Sequence, residues 1–145
     1  MSAIINTLTE TLGGKKVFHK AVHDENEIVQ SIRLGLPIAA VDALMDRFSL
    51  TAEELVAPLG ISLSTIKRRH KQERLSAAVS DRLFRVAKIV ALATETLGNQ
   101  EKATRWLHKP NRSLSGDTPL SRLDTSIGFS QVEEILMRIE HGLLS

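Results

Sequence analysis

Three short hydroxyl side chains, Ser62, Ser64 and Thr65, stand directly ahead of the cations Lys67, Arg68, Arg69, Lys71 and Arg74. Hydroxyls at the start of a helix can approach base edges, and longer cations behind them reach phosphates or the guanine edge. The chemistry this pattern suits is recognition of duplex DNA, not bond making. The flanking residues supply the elements that would hold it. Thr51 can cap a first helix, with Glu54 three residues on completing a capping box. Leu55, Val56 and Leu59 give that helix an apolar face, and Gly60 can take the positive φ that stops it. Ile61 can pack between two helices, Ser62 is a natural N-cap for the second, and Ile66 faces inward. Thr51 to Arg74 therefore reads as a helix-turn-helix. Arg74, just past the second helix, is expected to be a phosphate contact.

The charge distribution agrees. Residues 61–90 hold eight Lys/Arg against two acids. That window is +6, and since the whole chain is +2 the remainder is −4. A basic block within a mildly acidic chain is the electrostatic footprint of a nucleic-acid site. Four Phe, one Trp and no Tyr are too few aromatics for a platform that stacks single-stranded bases. The absence of cysteine excludes disulfides and thiolate metal sites and fits a reducing cytoplasm. No apolar run approaches the roughly 18 residues of a membrane span, and no signal peptide is evident.

Other groupings of reactive residues do not assemble into a site. His19 and His23 are four apart, which on a helix shares a face, but no third ligand is near in sequence. His70 sits between Arg69 and Lys71 and has no assigned role. Glu53-Glu54 and Glu133-Glu134 fall in first turns of helices, where they favour the helix dipole. No glycine-rich phosphate loop or nucleophile elbow is present. The expectation is a non-enzyme without cofactor or metal.

Along its 145 residues the chain has room for one or two small domains. Residues 1–25, with a Gly13-Gly14-Lys15-Lys16 break, read as a flexible arm. Asn26 is expected to cap a short helix with Ile28, Val29 and Ile32 on one side, ended by Gly35. Pro37 opens a helix running to about Phe48 with Val41, Leu44 and Met45 inward. Beyond the helix-turn-helix, Val79, Leu83, Val86, Val90, Ala93 and Leu97 recur every three or four residues and predict a long helix from about Ala77 to Leu97, stopped by Gly98. Asn99 can cap a short helix with Ala103, Trp106 and Leu107, with Trp106 read as core. A Pro-, Asn-, Ser- and Gly-rich loop covers His108 to Thr118, and Pro119 opens a short helix ending near Gly128. Ser130 and Glu133 suggest a capping box for a last helix with the stripe Val132, Ile135, Leu136 and Ile139. No segment shows strand alternation, so the fold class is all-α.

Residues from about 26 to 145 resemble the Xre/MbcA/ParS-type antitoxins. The stretch Leu59 to Ala93 carries part of the match. The rest lies between Ala103 and Gly142, where Trp106-Leu107, Pro110-Asn111, Leu114, Gly116, Pro119-Leu120, Leu123, Thr125, Gly128, Val132 and Arg138-Ile139-Glu140 stand in the family's order. The resemblance implies an Xre-like helix-turn-helix domain over 26–90 and a small helical toxin-binding domain over 91–145. It implies a RES-domain toxin as partner, an enzyme that depletes NAD. It also implies a dimer that binds an inverted-repeat operator and represses its own operon in the bacterial cytoplasm. Toxin contact is expected at Arg138, Glu140 and His141 and at the tail Leu143, Leu144 and Ser145, whose carboxylate would meet cations that otherwise hold phosphates. The alternative is a stand-alone helix-turn-helix regulator whose C-terminal module only dimerises.

Overall fold

The structure is a computed structural model and describes residues 8–14, 24–67 and 73–142. Helix α1 (Glu25–Leu34) begins at Asp24, whose carboxylate accepts from the Glu27 amide at 2.9 Å. The cap is thus two residues ahead of Asn26, because the Asp24 side chain reaches an amide that the helix leaves unpaired. Val29 is exposed, so only part of the expected apolar side of α1 turns inward. Gly35 ends α1 with φ +98, and a Cβ there would stand 2.3 Å from the Leu75 carbonyl oxygen. That close approach lets residues 36–38 lie beside 73–75: Leu75 N–H donates to Leu36 O at 2.8 Å and Ile38 N–H to Glu73 O at 2.9 Å.

Helix α2 (Ala39–Phe48) buries Val41, Leu44 and Phe48. Helix α3 (Ala52–Leu59) opens with the full capping box of Thr51 and Glu54 and closes on Gly60 in the left-handed conformation. Helix α4 (Leu63–Ile66) follows, capped by Ser62. Helix α5 (Ala77–Leu97) matches the long apolar periodicity and buries Leu83, Val86, Ala87, Ile89, Val90, Ala91 and Ala93. Ser80, fully buried on α5, accepts from the Leu36 amide at 2.8 Å. Helix α6 (Gln100–Leu107) is capped by Asn99 and buries Ala103 and Leu107.

After the loop, a 3-10 turn at Arg112–Leu114 and a 3-10 helix at Leu120–Asp124 lead into α7 (Ser126–Glu140). Here the expected boundary moves. The cap is Thr125, which accepts from Gly128 N at 2.9 Å, so α7 starts four residues ahead of the Ser130–Glu133 capping box. Gly128 does not terminate the preceding helix; it lies inside α7, buried against the Arg122 carbonyl.

One continuous apolar core serves the whole described chain. Helix α5 packs on α1, α3, α6 and α7, and α3 packs on the 3-10 helix Leu120–Asp124. A boundary at residues 90 and 91 falls in the middle of α5, where both flanking residues are buried. Among residues 8–14, those from 8 to 11 are helical, and Leu8 and Leu12 are buried members of the core. They share a small apolar recess with Ile28, Ile32, Leu36 and Phe84. Over that stretch the segment read as a flexible arm packs on the core; the remainder of 1–23 lies outside the described residues. The described residues contain no strand, and the Pro37–Arg74 pair is an isolated bridge.

Candidate functional site

Ser62, Ser64 and Thr65 form a knot of hydroxyls at the turn. Ser62 Oγ accepts from the Thr65 amide at 3.2 Å and lies 3.1 Å from Ser64 Oγ and 2.9 Å from Thr65 Oγ1. Ser62 and Ser64 are exposed, Thr65 is half-buried, and Ile66 behind them is buried. The apolar residue anchors the short helix, and the hydroxyls crown its start. Lys67 caps the other end, and its ammonium lies 3.5 Å from the Glu53 carboxylate on the first turn of α3. A helix-start amide and the Lys67 charge hold the Glu53 carboxyl below its ordinary range. Arg82 covers the turn: its guanidinium donates to the Leu59 carbonyl at 3.4 Å and would sit 2.6 Å from a Cβ on Gly60.

Arg68, Arg69 and Lys71, together with His70, lie outside the described residues. Arg74 is exposed but engaged, donating to the Gly35 carbonyl at 2.6 Å. It therefore fastens the return of the chain from the helix-turn-helix, a structural use that its expected phosphate contact does not account for. His19 and His23 also fall outside the described residues. Among those described, no group of His, Asp and Glu could hold a metal ion. No described helix is long and apolar enough to cross a membrane.

Beyond its buried core, the C-terminal third is tied together by Arg122. Arg122 donates to Asp117 at 2.9 Å, to Gln131 at 2.8 Å and to the Leu114 carbonyl at 2.8 Å, tying the loop to α7. At the far end of α7, Arg138, Glu140 and His141 are exposed, with Arg138 paired to Glu134. Leu143, Leu144 and Ser145 lie outside the described residues. Trp106 is partly buried against the core, as are Phe129 and Ile139. A cavity of about 280 Å³ between α3, α5 and the start of α7 is lined by Arg82, Arg85, Asp124, Thr125, Ser126 and Phe129 among others.

The two halves meet at His108. Its Nε2 lies 2.9 Å from the Glu54 carboxylate, and its Nδ1 lies 2.7 Å from the Thr104 carbonyl. Glu54 thus closes the α3 capping box with one oxygen and receives the C-terminal half with the other.

Residues 27–88 match the antitoxin Xre-like helix-turn-helix domain, and residues 92–142 match the antitoxin Xre/MbcA/ParS C-terminal toxin-binding domain. A protein from Photorhabdus laumondii subsp. laumondii called Antitoxin Xre is 31% identical over 113 residues, covering 77% of this chain and 76% of the relative. The chain belongs to the Xre antitoxin family. An Antitoxin Xre from Yersinia enterocolitica is 29% identical over 120 residues, 81% of each chain. One from Pseudomonas putida is 46% identical over 83 residues, 57% of this chain; the match spans about half the relative's length, 52%.

The family's two domains meet between residues 88 and 92, inside α5. In this Xre family member, the sequence did not reveal the His108–Glu54 contact, since the two residues are 54 positions apart and no local spacing links them. Ile127 is 74% exposed on the first turn of α7, a position that the Ser130–Glu133 spacing leaves outside the helix.

Proposed function

We propose that this chain is the antitoxin of a toxin–antitoxin pair that also binds the DNA of its own operon. The observation that carries the reading is the joining of a helix-turn-helix match to a toxin-binding match on one continuous core. Ser62, Ser64 and Thr65 would meet base edges, and Lys67, Arg68, Arg69 and Lys71 phosphates or guanine. The Lys67–Glu53 pair is exposed on both sides, so a phosphate can displace the carboxylate at small cost. A homodimer on an inverted repeat follows from the weakness of one half-site.

The toxin is proposed to be of the RES type, one that depletes NAD. Arg138, Glu140, His141 and the tail Leu143 to Ser145 would occupy the approach to its active site, in the bacterial cytoplasm. Exposure of the three described members supports this.

Co-expression with the neighbouring reading frame, following growth and cellular NAD, tests it. The neighbour alone should arrest growth and drain NAD, and this chain should restore both and co-purify with it. A harmless neighbour, or one that does not associate, would leave a DNA regulator whose C-terminal half has some other task. Deleting Leu143 to Ser145 without loss of neutralisation would remove the tail from the mechanism.

A further inference from the structure

Positive charge has a second concentration outside the helix-turn-helix. Residues 99–116 carry Lys102, Arg105, Lys109 and Arg112 against the single acid Glu101. All four cations are exposed, and none of their side chains has an ion-pair or hydrogen-bond partner among the described residues. Elsewhere Lys67, Arg85, Lys88, Arg122 and Arg138 are each paired with an acid. On α6 the buried residues are Ala103 and Leu107. At about 100° per residue, Lys102 and Arg105 fall on the opposite side of the helix. Lys109 lies two residues past its end, and Arg112 opens the 3-10 turn that follows.

One contact, His108 to Glu54, places this group beside the helix-turn-helix. Lys67 pairs with Glu53, the next residue Glu54 pairs with His108, and Lys109 is the residue after that. The end of α6 is therefore docked on the first turn of α3, beside the recognition segment. In a helix-turn-helix complex the first helix crosses the DNA backbone, and here that helix is α3. Glu53 and Glu54 would repel a phosphate strand at this point, but the Lys67 ammonium pairs with the first and the His108 imidazole lies against the second. Exposed basic residues thus adjoin the helix-turn-helix on the domain whose family match is toxin binding.

We propose that Arg105, Lys109 and Arg112 are a second DNA contact, made to backbone phosphates flanking the sequence that the helix-turn-helix reads. The inference rests on the DNA-binding reading above. Its occupant is duplex DNA, recognised by charge and without sequence preference. Continuity with the helix-turn-helix face favours DNA over an acidic protein surface. Binding of toxin and of extended operator would then share one domain.

The test uses the full chain and two duplexes taken from upstream of its own reading frame. One holds the operator alone, and the other extends it by about one helical turn on each side. The triple variant Arg105→Gln, Lys109→Gln, Arg112→Gln should bind the long duplex roughly tenfold more weakly. Its plot of log affinity against log salt should be shallower by about 2 to 3, with the preferred sequence unchanged. The conservative variant Arg105→Lys, Arg112→Lys should keep the wild-type slope, and both variants should melt as the wild type does. A reference variant, Ser64→Ala with Lys67→Ala, should lose sequence preference. If the reference variant loses preference and the triple variant keeps the wild-type slope, the flanking contact is wrong and the DNA-binding reading stands. If the reference variant binds as the wild type does, the DNA-binding reading falls and this inference with it. An unchanged slope with lost capture of the co-expressed toxin would assign the patch to the protein partner and overturn the proposal.

Discussion

The carbonyl oxygen of Arg122 occupies the space a side chain at position 128 would need: a Cβ on Gly128 would stand 1.9 Å from it. The backbone of the 3-10 helix Leu120–Asp124 rests directly on the first turn of α7. Gly128→Ala sets two effects in opposition. Alanine improves helix propensity by about 1 kcal/mol, while overpacking against a backbone atom costs about 1–3 kcal/mol or more. The neighbour here is backbone and cannot rotate away, so a net loss of about 2 kcal/mol is expected. Urea unfolding of Gly128→Ala beside the exposed control Ser130→Ala would check it; equal midpoints would show that the two elements can separate at little cost.

Arg122 has a second task through its side chain. It links the loop, at Asp117 and the Leu114 carbonyl, to Gln131 on α7. Arg122→Ala should lower stability by about 2 kcal/mol, since hydrogen bonds to charged groups contribute about 1.5–3 kcal/mol each and these are partly solvated. Amide exchange should quicken first at Asn111, Gly116 and Asp117. Uniform acceleration across the chain would argue against a local staple.

The contact between His108 and Glu54 joins the halves across a half-exposed gap. Glu54→Gln retains an acceptor for the capping box and removes the charge. A double-mutant cycle of Glu54→Gln and His108→Ala should give a coupling energy of about 0.5 kcal/mol, in the range of partly exposed pairs. Thr51→Ala, which breaks the cap itself, should cost more, about 1 kcal/mol. A coupling larger than the cap would make His108 the dominant fastening.

Glu53 is held below its ordinary range by a helix-start amide and then by Lys67. The charged form is favoured in the folded chain, so its contribution to stability is present above the unfolded pKa and lost as pH falls through the folded one. Carboxyl chemical shifts followed by NMR should show Glu53 titrating below an ordinary glutamate. Lys67→Ala should move it part of the way back, because the amide remains. No movement would mean that the amide alone sets the value.

Ser80 is a buried hydroxyl with one evident purpose, accepting the Leu36 amide. Ser80→Ala leaves that amide unpaired in the core and should cost about 1–3 kcal/mol. Thermal unfolding reads the loss directly, and a stability within a few tenths of wild type would imply that the Leu36 amide finds another partner.

Local signals were legible where one short stretch of chain determines the geometry. Thr51 with Glu54, Gly60, Ser62 and Asn99 all hold the capping or turn positions their residue types suggest. The period of α5 reads directly from Val79 to Leu97 because a helix packed on several sides needs a sustained apolar repeat. The start of α7 misled because Ser130 and Glu133 have capping-box spacing, while the choice of Thr125 depends on Gly128 meeting a carbonyl from another element. The burial of Leu8 and Leu12 was hidden for a similar reason: two apolar residues beside a Gly-Gly break show no period, and their partners are on α1 and α5. For the candidate interface, the spacing of Ser62, Ser64 and Thr65 at a helix start is legible in the sequence, while Arg68, Arg69 and Lys71 lie outside the described residues. The contacts of Glu53 with Lys67 and of Glu54 with His108, and the tie of Arg74 to Gly35, arise only once distant segments meet.

Helix α5 carries Leu83 and Val86 in the first of the family's two matched segments, Ala93 in the second, and Ile89, Val90 and Ala91 in the short interval between them, all buried in the same core. Hybrids that exchange one relative's toxin-facing half for another's must cut through this shared strut. A crossover near residue 91 would mate an inherited groove with foreign knobs, and the misfit would be felt in the helix-turn-helix half as well. Recombination that keeps all of α5 with its own neighbours, and changes only the exposed far end of α7, is a route by which partner choice could drift while the scaffold stays whole.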